Sequence, residues 1–109
     1  MSTISTHVLD TSVGKPAAGV RVTLSREGRV IGSSVTDKDG RVKDLLGVGS
    51  QIATGSHSLA FEVGDYFAAQ GREGFYTRIV IDFEVSSDSE HYHVPLLLSP
   101  FGYSTYRGS

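Results

Sequence analysis

HYHVPLLLSPFGYSTYRGS, running from His91 to Ser109, is the stretch whose reading decides the fold. Its first half alternates as a β-strand does, with successive side chains pointing to opposite faces. Tyr92, Val94, Leu96 and Leu98 make one apolar row, fit for a core. His91, His93, Pro95 and Leu97 make the other. This second row is too polar for a core and too apolar for bare solvent, so it reads as a site, a subunit contact, or both. Ser99-Pro100-Phe101-Gly102 then turns the chain back into a last strand. The sequence runs out at Tyr106-Arg107-Gly108-Ser109. Chain ends commonly fray, but Tyr103, Tyr106 and Arg107 are costly to leave loose, so the expectation is a docked terminus.

Working outward, the same alternation recurs upstream. Between Ile4 and Thr11, Thr6, Val8 and Asp10 take one side and Ser5, His7, Leu9 and Thr11 the other. Gly14-Lys15-Pro16-Ala17-Ala18-Gly19 is a breaker cluster. Val20 to Ser25 is a second strand, and Glu27-Gly28 turns it into a third from Arg29 to Thr36. Asp37-Lys38-Asp39-Gly40 is a strong turn signal before a short strand from Arg41 to Lys43. Leu45 to Gly55 reads as loop. His57, Leu59, Phe61 and Val63 alternate against Ser58, Ala60 and Glu62. Asp65 to Gln70 is predicted to form one or two helical turns, with Asp65 as N-cap and Gly71 as the stop. Tyr66, Phe67 and Ala69 supply its apolar side. Thr77, Ile79, Ile81, Phe83 and Val85 alternate against Arg78, Val80, Asp82 and Glu84 in the next strand. About eight short strands with turn signals at regular spacing predict an all-β sandwich with one short helix.

Composition narrows the function. The chain has 109 residues, which argues for a single domain over 1–109. A chain of this length buries roughly two thirds of its unfolded surface, enough for one core. Lys and Arg number 10 against 12 Asp and Glu, a formal charge of -2. That balance leaves no basic footprint for nucleic acid. Cysteines number 0, which excludes a disulfide framework and thiol catalysis and fits a reducing compartment. No apolar run approaches the roughly 18 residues of a membrane-spanning helix. MSTISTHVLD lacks a positive region followed by a long apolar one, so no signal peptide is read there and the cytoplasm is expected.

The side chains able to carry chemistry are His7, Arg41, His93 and the last four residues. A single histidine on a strand is most often structural, and an arginine after a turn is most often a solvated charge. His91 and His93 share a face, which with His7 is also a geometry for zinc or copper. No carboxylate or cysteine stands out as a fourth ligand. Serines are plentiful, but none sits in a nucleophile elbow with an oriented base. GREG and GVGS lack the strand-to-helix context of a phosphate loop.

Four stretches carry a family resemblance: His7-Val8-Leu9-Asp10-Thr11, Asp39-Gly40-Arg41, His91-Tyr92-His93-Val94-Pro95-Leu96-Leu97-Leu98-Ser99-Pro100, and Tyr106-Arg107-Gly108-Ser109. Together they resemble the transthyretin-like family, and within it the 5-hydroxyisourate hydrolases of urate breakdown. The terminal tetrapeptide with the HYHVP segment is the specific part of the match. The resemblance implies a prealbumin-like, eight-stranded β-sandwich with a short helix after the fifth strand. It implies a homotetramer of two back-to-back dimers, with sites at the dimer–dimer interface. It further implies a catalytic set of His7, Arg41, His93 and Ser109, with Tyr106, Arg107 and Gly108 shaping the substrate pocket, and no metal or other cofactor. His91 lies outside that set.

The implied substrate is a planar oxidised purine, 5-hydroxyisourate. The implied reaction adds water to a ring amide and yields 2-oxo-4-hydroxy-4-carboxy-5-ureidoimidazoline. Those residue types suit it. Imidazole titrates near working pH and can take a proton from water. A guanidinium offers a flat, two-pronged donor to developing oxygen charge. The Ser109 hydroxyl or a terminal carboxylate can position substrate or water. Strict alternation sets Tyr106 and Gly108 on one face and Arg107 and Ser109 on the other, so all four reach one pocket only if the strand breaks near Gly108. Two alternatives carry the same fold. One is a non-catalytic small-ligand carrier, which has no use for this histidine–arginine set. The other is a structural prealbumin-like module, suggested by Gly14-Lys15-Pro16-Ala17-Ala18-Gly19-Val20 and Thr36-Asp37-Lys38-Asp39-Gly40.

Overall fold

A computed structural model of the chain describes residues 3–47 and 50–109. Two sheets pack face to face. In chain order the elements are β1 (Ile4–Asp10), β2 (Lys15–Pro16), β3 (Arg21–Arg26), β4 (Arg29–Val35), β5 (Arg41–Val42), β6 (Gly55–Phe61), α1 (Val63–Ala69), β7 (Ile79–Val85), β8 (Tyr92–Ser99) and β9 (Gly102–Thr105). The first sheet runs β2-β1-β8-β9, with β5 also paired to β1; the second runs β4-β3-β6-β7. β1 and β8 are parallel neighbours, with Ser5 beside His93 and Leu9 beside Leu97. Their turns explain the hairpins. Glu27 and Gly28 both take positive φ, the backbone twist that suits a tight two-residue hairpin between β3 and β4.

The alternation read from the sequence is the one that fills the core. Tyr92, Val94, Leu96 and Leu98 of β8 are buried, as are Ile4 and Val8 of β1, Val22 and Leu24 of β3, and Leu59 and Phe61 of β6. His57 joins this core row. Its Nδ1 lies 3.0 Å from the Gly55 carbonyl, and its ring tilts against Phe83.

Four details differ from the sequence expectation. The breaker cluster contains a two-residue strand, Lys15–Pro16, because that segment folds back along the end of β1. The helix begins at Val63 rather than at Asp65, and Glu62 precedes it without a side-chain cap. Burial of Val63 with Tyr66 and Phe67 anchors the helix instead, and Asp65 lies in its first turn, where a negative charge suits the helix dipole. Ala69, expected on the apolar side, is exposed. Finally, Gly55 opens β6 rather than closing the preceding loop. In that loop Leu45, Leu46 and Ile52 are buried and so pin it to the core; the loop reading at 48–49 lies outside the described residues.

Candidate active site

The outer face of the first sheet collects the polar residues of three strands. On β1 these are Ser5 and His7; on β5, Arg41; on β8, His93. The positions are set by pairing: His7 stands opposite Arg41, and Ser5 opposite His93. Arg41 reaches this place because of the turn before it. The Asp37 carboxylate accepts the backbone N–H groups of Asp39 and Arg41, each at 2.9 Å. The Arg41 N–H, chiefly, holds the Asp37 carboxyl below its usual range. Gly40 has φ +75°, and a Cβ there would collide with the Val8 carbonyl. A glycine is therefore what lets the turn lie against β1 and deliver Arg41 next to His7.

A cleft of about 230 Å³ opens on this face, lined by Ser5, Thr6, Arg41, Val42, Lys43, His91, His93 and Ser109. All but Val42 of its lining residues carry polar or charged side chains, and its size is below the ~300–1,000 Å³ of drug-sized pockets. His93 is half-buried. Burial, then the charges of Arg41, His91 and His7, push its pKa below that of an ordinary histidine. The ring is thus held neutral at working pH, the form a base needs. The Arg41 side chain is exposed and makes no hydrogen bond or ion pair among the described residues, so its donors are available to a ligand.

The C-terminal residues divide between two cavities. β9 ends at Thr105, opposite Leu96. The ladder stops beside Pro95, which has no N–H to give, and Thr105 Oγ1 donates instead to the Pro95 carbonyl at 2.7 Å. Pairing resumes at Gly108, which bridges to His93 and donates its N–H to the His93 carbonyl at 2.8 Å. A Cβ on Gly108 would overlap His93 Cδ2. Gly108 therefore serves the site by having no side chain, and Ser109 after it lines the cleft together with His93. Tyr106 and Arg107 lie elsewhere. They line a second, apolar cavity of about 330 Å³ with Ile81, Phe83, Tyr92 and Val94, and His93 borders this cavity as well as the cleft. Arg107 pairs with Glu90 at 3.0 Å and stacks over the Tyr92 ring.

The structure thus brings His93, Arg41 and Ser109 into one cleft, with Gly108 beneath. His7 shares the face and flanks Arg41 but is not part of the cleft wall. Tyr106 and Arg107 are not part of the cleft wall; they line the neighbouring apolar cavity, which His93 also borders. Ser5, Thr6 and Lys43 line the cleft without having been singled out as site residues, and so does His91, which was weighed only as a metal ligand. Alternation alone had put Ser5 on the His7 face and His91 on the His93 face; only the parallel β1–β8 pairing joins them. Among the described residues, no three His, Asp or Glu side chains gather closely enough to hold a metal ion.

The two-sheet topology and the imidazole–guanidinium–hydroxyl cleft define a prealbumin-type sandwich with a polar site on one outer sheet face. The comparisons agree. The family model described as HIUase/Transthyretin family matches residues 4–108, and the chain belongs to that family. It is 47% identical to the 5-hydroxyisourate hydrolase of Caulobacter vibrioides, covering 100% of both chains. The solved structure of Klebsiella pneumoniae 5-hydroxyisourate hydrolase superposes with a TM-score of 0.91 at 47% identity, again covering 100% of both chains. Sea bream transthyretin, solved in complex with thyroxine, superposes with a TM-score of 0.89 at 27% identity, covering 97% of this chain and 94% of that one.

Proposed function

We propose that this chain hydrolyses 5-hydroxyisourate, opening the ring at an amide by addition of water. The observation that carries this reading is the meeting of His93, Arg41 and Ser109 in one cleft, in a chain that is similar to the named hydrolases along its whole length.

The chemistry follows from the side chains. Water held beside His93 loses a proton to the imidazole as its oxygen bonds to the ring carbonyl carbon. The carbonyl oxygen gains the charge, and the Arg41 guanidinium faces it with donors that can grip two acceptors at once. Collapse of the tetrahedral adduct breaks the carbon–nitrogen bond. His93 returns the proton taken from water to the departing nitrogen, directly or by way of His7, and the product leaves as ureidoimidazoline. Ser109 offers a hydroxyl to position substrate or water. No step draws on a metal, so turnover is expected to persist in EDTA.

The assembly that suits this site is a homotetramer of two back-to-back dimers, with the cleft at the dimer–dimer interface. Its support is the row around the cleft: His7, Leu9, His93 and Leu97 are each half-buried in a single chain, and Leu9 and Leu97 sit side by side. A closed symmetric assembly would cover that row twice. A stable monomer by light scattering at micromolar concentration overturns the assembly.

The function is tested by generating 5-hydroxyisourate from urate with urate oxidase and following its decay. The expected result is decay accelerated in proportion to added protein. Decay at the spontaneous rate, with the chain folded, overturns the activity and leaves a ligand carrier as the better reading.

A further inference from the structure

Ser5 is buried, and its hydroxyl lies between two imidazoles. Ser5 Oγ is 2.8 Å from His93 Nδ1 and 3.4 Å from His91 Nε2. The other nitrogen of His91, Nδ1, meets the hydroxyl of Thr3. The two imidazoles stack, with centroids 6.4 Å apart and planes 11° from parallel. A hydrogen-bonded chain therefore runs Thr3, His91, Ser5, His93, from the exposed end of β8 into the cleft.

A hydroxyl has one proton to give. With nitrogens on both sides, Ser5 donates to one ring and accepts from the other, so its orientation sets the tautomer of both. If Ser5 donates to His93, the His93 proton sits on Nε2, the nitrogen that no hydrogen bond within the described residues engages. That N–H would then share the cleft with Arg41 and Lys43, two cations that are donors only. If Ser5 accepts from His93, Nδ1 carries the proton and the Nε2 lone pair shares the cleft with the same cations, which favours it. The second arrangement also lets Ser5 donate to His91 Nε2, and leaves His91 Nδ1–H to donate to Thr3.

We propose that Ser5 is a positioning residue that holds His93 in the Nδ1–H tautomer, leaving Nε2 as the base, with His91 Nε2 accepting the hydrogen bond that the Ser5 hydroxyl donates. The role in turnover rests on the hydrolase reading above; the tautomer does not. When His93 takes a proton from water it does so at Nε2, while Nδ1–H stays hydrogen-bonded to Ser5, so the ring cannot rotate as its charge changes. His91 is then a supporting member of the unit rather than a bystander.

Nitrogen-15 NMR of the histidine rings in the native chain reads the tautomer directly and needs neither substrate nor mutation. The expected spectrum has neutral His93 protonated on Nδ1. Ser5→Ala is expected to move that proton to Nε2, the form free imidazoles favour. It is also expected to lower kcat by about 10–100-fold, the usual effect of losing the partner behind a working imidazole, with KM changed little. Ser5→Thr, which keeps the hydroxyl, restores both. A native His93 protonated on Nε2 overturns the proposal, and so does a Ser5→Ala protein whose His93 keeps its proton on Nδ1, whatever its rate. A chain with the expected tautomer but no turnover would keep the positioning role and sink only the hydrolase reading.

Discussion

β1 carries a polar cluster at each end, and the two are built in opposite ways. At its C-terminal end, Asp10 is 0% exposed yet ionised. Burial alone would raise its carboxyl, but hydrogen bonds from Arg72, Ser12 and Tyr66, with the charge of Arg72, bring it down to about 2. Arg72 Nη1 and the Tyr66 hydroxyl both donate to Oδ2 at 2.8 Å, and Ser12 Oγ donates to Oδ1 at 2.6 Å. The Arg72 guanidinium also lies over the Phe67 ring, which ties α1 and the chain after it to β1. At the other end, around Ser5, the charges are left open. Arg41 has no partner among the described residues, and His93 is pushed toward neutrality by burial and by like charges. A cluster whose valences are all satisfied holds the fold; one with a free base and a free cation is poised to act on something else.

The largest effect expected is at the open end. His93→Asn and His7→Asn, if both lie on the proton path, lower kcat by about 10²–10⁴-fold with little change in KM, measured on enzymatically generated substrate. Next comes Gly108→Ala. The added methyl overlaps His93 Cδ2 and forces the ring or the terminal segment aside; a displacement near 1 Å is worth on the order of 10²-fold in rate. The melting temperature should barely move, because the clash lies at an exposed edge.

Asp10→Asn should do the reverse. It leaves Arg72 and the Tyr66 hydroxyl without their carboxylate and is expected to cost about 2–4 kcal/mol in urea unfolding. At a temperature where the variant is folded, kcat should change less than about threefold, since Asp10 does not touch the cleft. The stability Asp10 supplies is fully present above the ordinary carboxyl range near ~3.9. It is lost as pH falls from there through about 2, so the native chain should lose more stability over that acid window than the Asn variant, which keeps only the contribution of other carboxylates such as Asp37. The smallest effect is expected at Arg107→Ala. Its pair with Glu90 is exposed on both sides, which makes the pair worth roughly 0–1 kcal/mol. Tyr106 and Arg107 line the apolar cavity and not the cleft, so kcat should stay within a few-fold of native unless a second chain carries them to a neighbouring site.

Much of the open end was legible in the sequence. Strict alternation set His93 off the core row of β8 and His7 off the core row of β1, and the Asp37–Gly40 turn announced a short strand bearing Arg41. The family resemblance then named those positions. What alternation could not supply was the sideways register. Nothing in spacing places Ser5 beside His93, because β1 and β8 lie at opposite ends of the chain. The closed end was less legible still. Alternation put Asp10 on one side with Thr6 and Val8, but its partner Arg72 is 62 positions away, in a segment that reads only as loop. The split of the terminal tetrapeptide has a local cause that a closer reading finds: Pro95 cannot donate to the ladder, so the strand opposite it breaks before Gly108. The helix start was missed because a buried Val63, rather than a capping side chain, sets it.

The pH dependence of kcat/KM, compared between the native chain and His93→Asn, bears most directly on the open cleft as a site of base catalysis. With His93 held below the ordinary histidine value of ~6.5, the native rate should stay high down to lower pH than a free imidazole allows, then fall as the ring is protonated. The residual rate of His93→Asn should lack that acid limb. A native rate that rises on acidification through this range, or the same limb in the His93→Asn protein, would contradict a neutral His93 as the base.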